Sequence, residues 1–238
     1  MNERKGEGNI KYPLNELGSK KNNEIKMEIE INNNDIGQRV YFLGDLEVNS
    51  KKVNNELNSS NTEIYINYVK YEFKKYFIPI KKGIYSIMLK INSDIKTCES
   101  LFWKCENLKS VDLSSFDTKN VDNMRGMFQS CKNLTSINLS TLDTKNVKDF
   151  GSMFSFCEKL SSIDLSSFDT TNAENTEYMF AGCKNLKSVN LSSFDTKKLY
   201  CDINMFLYCN NLKQVKISKE LAEKIKDQLT EKFDVIII

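Results

Sequence analysis

The 238-residue sequence has no histidine, only nine glycines, no excess of either charge and no long apolar run. Each absence removes a class of function. Without histidine there is no imidazole base for catalysis and no imidazole ligand for zinc. The glycines form neither a G-x-x-x-x-G-K-[ST] phosphate loop nor a G-x-G-x-x-G turn after a strand, so a nucleotide finds no cradle. With 34 basic and 32 acidic side chains the net charge is +2, too little to draw the chain to nucleic acid or to an anionic membrane. No stretch reaches the roughly 20 apolar residues of a membrane span. The opening MNERKGEGNIKYPLNELGSKKNNE has no apolar core of the secretory type, so a soluble chain that is not exported is expected. Carboxylates are abundant and leave a paired-carboxylate hydrolase open on residue type, but no pair stands out and no catalytic residue is assigned.

What is present is repetition. Cys105, Cys131, Cys157, Cys183 and Cys209 recur every 26 residues, and other columns keep step with them. Leu108, Leu134, Leu160, Leu186 and Leu212 form one column. Val111, Ile137, Ile163, Val189 and Val215 form a second, and Leu113, Leu139, Leu165, Leu191 and Ile217 a third. This is the L-x-x-L-x-L core of a leucine-rich repeat. Farther along each unit, Val121, Met124, Phe128 and Cys131 are spaced as one stripe of a short helix, after an Asp-Thr-x-Asn start that suits capping. Each unit is thus predicted to be a strand, a turn and a short helix, and residues 93–217 an α/β leucine-rich-repeat solenoid of about five units. A single unit cannot bury its own apolar stripe, whereas stacked neighbours can. Phe102, Phe128, Phe154, Phe180 and Phe206 are predicted to form a continuous internal spine.

The flanks differ in character. Residues 1–23 are polar and without period, and are expected to be a disordered tail. In residues 25–92, Ile25, Met27, Ile29 and Ile31 alternate with Lys26, Glu28 and Glu30 as in a half-buried strand. Similar runs follow at Val40–Leu43, Glu63–Ile66, Val69–Phe73 and Tyr85–Ile91. A change of parity between Ile66 and Val69 predicts a tight reversal at Asn67 and Tyr68. The whole reads as a small antiparallel β unit that shields the open end of the first coil.

At the other end Asp202 breaks the column of Met124, Phe150 and Thr176. SKELAEKIKDQLTEKF then places Leu221, Ile225, Leu229 and Phe233 on one helical face with Ser218 as cap, and Val235–Ile238 as a last strand. Residues 218–238 are read as a closing cap, a calmodulin-type target helix being the alternative.

Cysteines spaced 26 apart without histidine fit buried free thiols better than zinc ligands, which come about two to four residues apart, or disulfides. Free thiols also favour a reducing compartment. No metal or other cofactor is assigned. One acidic column, Asp117, Asp143, Asp169 and Asp195, either binds calcium or accepts hydrogen bonds from main-chain N–H groups in its own turn.

The candidate partner site lies on the strands. Side chains alternate, so Ser110, Asp112 and Ser114 project from the open sheet face. Ser136, Asn138 and Ser140 follow, then Ser162, Asp164 and Ser166, then Ser188, Asn190 and Ser192. Asp and Asn take turns down this face, which lets each amide donate to a neighbouring carboxylate, until Gln214 and Lys216 break step. The face lacks the aromatics and arginine that anchor tight interfaces, so its contacts are expected to be polar.

The run Met-Phe-x-x-Cys-x-x-Leu-x-x-Ile-x-Leu-Ser-x-x-Asp-Thr-x-Asn-Val, Met127 through Val147, resembles the repeat of the BspA-like leucine-rich-repeat surface proteins. The resemblance covers roughly half the chain and not residues 1–92. It implies a curved solenoid, a role in cell-surface attachment or partner binding, and no catalysis. The expectation is a monomeric, non-enzymatic interaction or adhesion module with a protein or glycan partner. An intracellular scaffold of the same fold is the alternative that the thiols and the polar N-terminus favour, so the location stays open between cytoplasm and cell surface.

Overall fold

The computed structural model describes residues 23–45, 47–48, 51–52, 56–200, 204–229 and 234–238. The expected disordered tail, Asp202 and Phe233 lie outside the described residues, Asn23 of the tail excepted.

The apolar-charged alternation after residue 24 forms β1 (Glu24–Ile31), which buries Ile25, Met27, Ile29 and Ile31. Then come β2 (Val40–Tyr41), β3 (Glu47–Val48), β4 (Lys51–Lys52), β5 (Thr62–Ile66), β6 (Val69–Tyr71), β7 (Tyr76–Phe77) and β8 (Gly83–Ile91). Asn67 and Tyr68 join β5 to β6 with φ of 48° and 68°, the paired positive angles of a two-residue hairpin turn. β1 is the joint between this unit and the repeats. On one edge Met27 faces Ile87 of β8, and on the other it faces Val111 of β9 (Leu108–Ser115), both antiparallel. The β unit and the first repeat strands therefore share one sheet, in the order β10-β9-β1-β8-β5-β6, with β10 at Ser136–Asn138. A second contact seals the joint: the Gly44 N–H donates to the Leu101 carbonyl at 2.8 Å, and a Cβ on Gly44 would run into the carbonyl of Ser100.

The repeat strands that pair are parallel and keep the 26-residue step. Ile137 of β10 lies beside Val111; Ile163 of β11 (Ser162–Asp164) lies beside Val189 of β12 (Ser188–Leu191), and Val189 beside Val215 of β13 (Gln214–Ile217). All three leucine-type columns are buried except Ile137, which is half-buried. Behind them runs the phenylalanine spine. Its ring centroids are 5.1 Å apart from Phe102 to Phe128 and 5.7 Å at each later step, with planes within 14° of parallel. This is offset stacking at its favourable distance.

The expected short helices are not helices. Met124, Phe128 and Cys131 are buried as the stripe requires, but their backbone is a train of turns. The reason is where the N–H groups go. Those of Met124, Gly126, Phe128 and Ser130 donate to Asp149, Gly151, Met153 and Ser155 in the next coil, at 2.8–2.9 Å. Those of Met127, Gln129 and Cys131 donate three residues back within the coil. An α-helix needs every N–H for itself. Half are used here to bind coil to coil, which requires a left-handed residue at two places per coil. These are Ser100 and Lys104, Gly126 and Ser130, Ser152 and Phe156, Tyr178 and Gly182, and Asn204 and Tyr208. The expected cap is also reassigned: the Thr118 hydroxyl donates to the Asp143 carbonyl of the next coil at 3.0 Å.

The stack closes with α1 (Lys219–Lys224), whose first turn is capped by Ser218 Oγ accepting from Leu221 N at 3.2 Å. The helix is shorter than the spacing predicts, because Ile225 leaves helical geometry and a 3-10 turn, Lys226–Gln228, follows. Gln228 Oε1 pins that turn by accepting from Met205 N at 2.7 Å. Leu221 and Ile225 are buried and Leu229 packs half-buried against the core, so among the described residues the apolar face of this segment is covered. β14 (Asp234–Ile237) then pairs parallel with β13. Among the described residues no helix is long and apolar enough to cross a membrane.

Candidate functional site

The strands set one row of polar side chains on the open face of the sheet. Ser136, Asn138, Ser140, Ser162, Asp164 and Ser166 are exposed, and Ser110, Asp112, Ser114, Ser188, Asn190 and Ser192 half-exposed. Within each strand the central Asp or Asn folds back on its own chain. Asp112 Oδ1 accepts from Ser114 N at 3.0 Å, Asn138 Oδ1 from Ser140 N at 3.3 Å, Asp164 Oδ1 from Ser166 N at 2.9 Å and Asn190 Oδ1 from Ser192 N at 3.2 Å. Across strands Asp112 stands beside Asn138 and Asp164 beside Asn190.

Both aspartates are held below the usual carboxylate range. For Asp112 the main cause is the Ser114 N–H, and for Asp164 the Ser166 hydroxyl; the Asn138 and Asn190 amides add to each. The face therefore keeps two fixed anionic groups among neutral donors, with Lys26 near the first and Lys216 near the second.

The row is not uniform. Between β10 and β11 the ladder lapses, and the sheet divides into β10-β9-β1-β8-β5-β6 and β11-β12-β13-β14. The coils remain joined behind the face, through bonds such as Phe128 N to the Met153 carbonyl at 2.9 Å. On the face itself the lapse opens a depression of about 360 Å³, lined by Ser136, Asn138 and Ser140 on one side and Ser162 and Asp164 on the other. A second, also about 360 Å³, brings Ser110, Asp112, Ser136 and Asn138 together with Lys26, Glu28 and Ser86. Ser114, Ser166, Ser188, Asn190 and Ser192 lie outside both. Neither depression is lined by an aromatic ring or an arginine. The contribution of β1 was missed by sequence reasoning; its signal was the charged half of the Lys26, Glu28, Glu30 alternation, which faces the same side as Ser110. The Ser110 hydroxyl and Glu28 Oε2 are 3.1 Å apart.

The other columns resolve differently. Asp117, Asp143, Asp169 and Asp195 each accept a main-chain N–H two residues ahead, from Lys119, Lys145, Thr171 and Lys197, at 2.7–3.2 Å. That is the turn-building role of the two considered. The six described cysteines are free and buried. Among the described residues no three His, Cys, Asp or Glu side chains converge as a metal site would require.

No curated protein matches the chain. Among solved structures, a crystal structure of a leucine-rich repeat protein from Bacteroides ovatus is similar, with 25% identity and a TM-score of 0.41 over 62% of this chain. The chain spans 37% of that protein. Residues 96–219, more than half of the chain and nearly the whole of the repeat array, match the family described as "Mycoplasma protein of unknown function, DUF285", and the chain belongs to that family.

Proposed function

We propose that the chain is a non-enzymatic interaction module, which holds a protein or glycan partner against the open sheet face. The observation that carries this is the division of the sheet. A continuous ladder would present a flat polar surface, whereas the lapse between β10 and β11 makes a groove with hydrogen-bonding groups on both walls. Concave solenoid faces are where such proteins engage partners. Without aromatic or arginine anchors, binding there is polar and gains strength from multivalency. The β unit acts as a cap that shields β9 and adds Lys26 and Glu28 to the face. The BspA-like repeat pattern supports a cell-surface role in attachment. A second reading, an intracellular scaffold, is favoured by the free buried thiols.

A pull-down from extracts of the native cell, with wild type beside the double variant Asn138→Lys plus Asp164→Lys, tests the face. Both side chains are exposed, so the fold tolerates the change. Loss of the recovered partner supports the assignment, and unaltered recovery removes it. Localising the tagged chain in its native cell divides surface from scaffold.

A further inference from the structure

Far from the repeat face, the β unit contains a cavity of about 580 Å³ between the β5–β6 hairpin and the segment that follows β7. Its floor is apolar, formed by Phe42, Ile64, Phe77 and Tyr85, and its rim carries Val69, Tyr71, Ile78 and Ile80. The rim is open to solvent. Ile80 is 86% exposed and Val69 59%, whereas the aliphatic columns of the repeats are buried, Ile137 alone being half-buried. A volume of about 300–1,000 Å³ with mostly apolar walls and few polar groups is the form of a small-ligand site.

Charge narrows the class of ligand. Lys74 is neutralised by Glu72 at 3.1 Å, but among the described residues neither Lys81 nor its neighbour Lys82 has an ion pair. Lys81 lines the cavity beside Ile80. An apolar chamber with the uncompensated ammonium group of Lys81 in its lining, and Lys82 next to it in sequence, is complementary to an apolar chain that ends in an anion.

We propose that this cavity binds a free single-chain amphipathic anion of the long-chain carboxylate class, its chain inside and its carboxylate at Lys81, with the charge of the adjacent Lys82 in support. Two other occupants fit less well. β6 is three residues long, too short an edge to template an added peptide strand. A bilayer surface covers protruding side chains but does not fill a concavity, and a single chain does. The site is separate from the sheet face and stands or falls independently of it.

The test titrates the full chain with an anthroyloxy-labelled fatty acid, kept below its aggregation concentration, and follows its fluorescence. Saturable binding is expected, with competition by both dodecanoate and dodecanol. Ile80→Asp, at an exposed position that leaves the melting temperature unchanged, weakens binding about tenfold. Lys81→Glu with Lys82→Glu weakens the labelled acid and dodecanoate about tenfold while leaving dodecanol unaffected. Absence of saturable binding, or variants that bind like wild type, overturns the proposal. So does a chain that ignores the monomeric probe but sediments with phosphatidylglycerol vesicles, or one that dimerises through this patch and is dissociated by Ile80→Asp.

Discussion

The thiol of Cys157 donates a hydrogen bond to the main-chain carbonyl of Phe128, one coil earlier, at 3.2 Å. Cys131, Cys183 and Cys209 do the same to Phe102, Phe154 and Phe180, each at 3.0 Å. The cysteine column is therefore more than apolar filling. Each thiol fits a small buried space and also gives a second hydrogen bond to the carbonyl of a spine residue in the coil before it, which already accepts a main-chain N–H. Replacing Cys157 with alanine leaves that carbonyl with the Cys131 N–H alone and opens a small void. The expected loss is about 1–3 kcal/mol, read from the urea unfolding midpoint.

The same burial sets an alkaline limit. It pushes the thiols of Cys98, Cys105, Cys131, Cys157 and Cys183 well up, and that of Cys209 up to about 12. An unfolded cysteine titrates near about 8.5, so above that pH the unfolded chain gives up protons that the folded chain retains. The stability conferred by the neutral thiols is complete below about pH 8.5 and is lost as pH rises towards the folded values. Urea midpoints measured from neutral pH upward are expected to fall once pH passes that point. A midpoint that stays level through it would mean that the thiols are not buried.

Gly44 docks the β unit on the first coil, and no side chain fits between it and the Ser100 carbonyl. Gly44→Ala is expected to cost about 1–3 kcal/mol through forced separation of the two. The single tryptophan reports on it directly, because Trp103 N would lie 3.1 Å from the new methyl group. A shifted native emission spectrum together with a lower midpoint is expected.

Arg125 reaches over one coil to the next but one. Its Nη2 donates to Glu177 Oε1 at 2.7 Å, and Nη1 lies 3.6 Å from Asp149 Oδ2. The guanidinium crosses the place a side chain on Gly151 would occupy, 2.5 Å from an added Cβ. Gly151→Ala is expected to displace it, and the loss should shrink in an Arg125→Ala background. A double-mutant cycle is expected to show coupling of about 0.5–3 kcal/mol between the two positions.

The fold was legible wherever one repeat could be compared with the next. The columns of Leu108, Val111 and Phe128 lie inside because stacking imposes the same sizes on each coil, and the parity change at Asn67 and Tyr68 is the hairpin. The turns that replace the predicted helices were not legible. A helical stripe and a train of turns bury the same residues, Met124, Phe128 and Cys131, and differ only in where N–H groups point. Gly126, Gly182 and Asn204 were the available signal, since these residue types accept left-handed backbone readily, but Phe156, Tyr178 and Tyr208 occupy equivalent places and hide it.

Of the candidate site, the polar row was readable from strand alternation, while the lapse between β10 and β11 was not. One mark accompanies it: the coil that carries β10 reads Ser140-Thr141-Leu142 where its neighbours read Ser-Ser-Phe. The cavity of the β unit left no pattern, because it is assembled from four strands, β5 to β8, and several connecting segments that no period relates.

The account rests on coils that are stable only on one another. Phe154 lies midway in the spine, with the rings of Phe128 and Phe180 each 5.7 Å away. The most direct test is the equilibrium unfolding of Phe154→Ala. A loss of about 3–5 kcal/mol, with the whole chain unfolding at a lower urea concentration, is the result expected of a stacked core. A midpoint equal to that of wild type would contradict it.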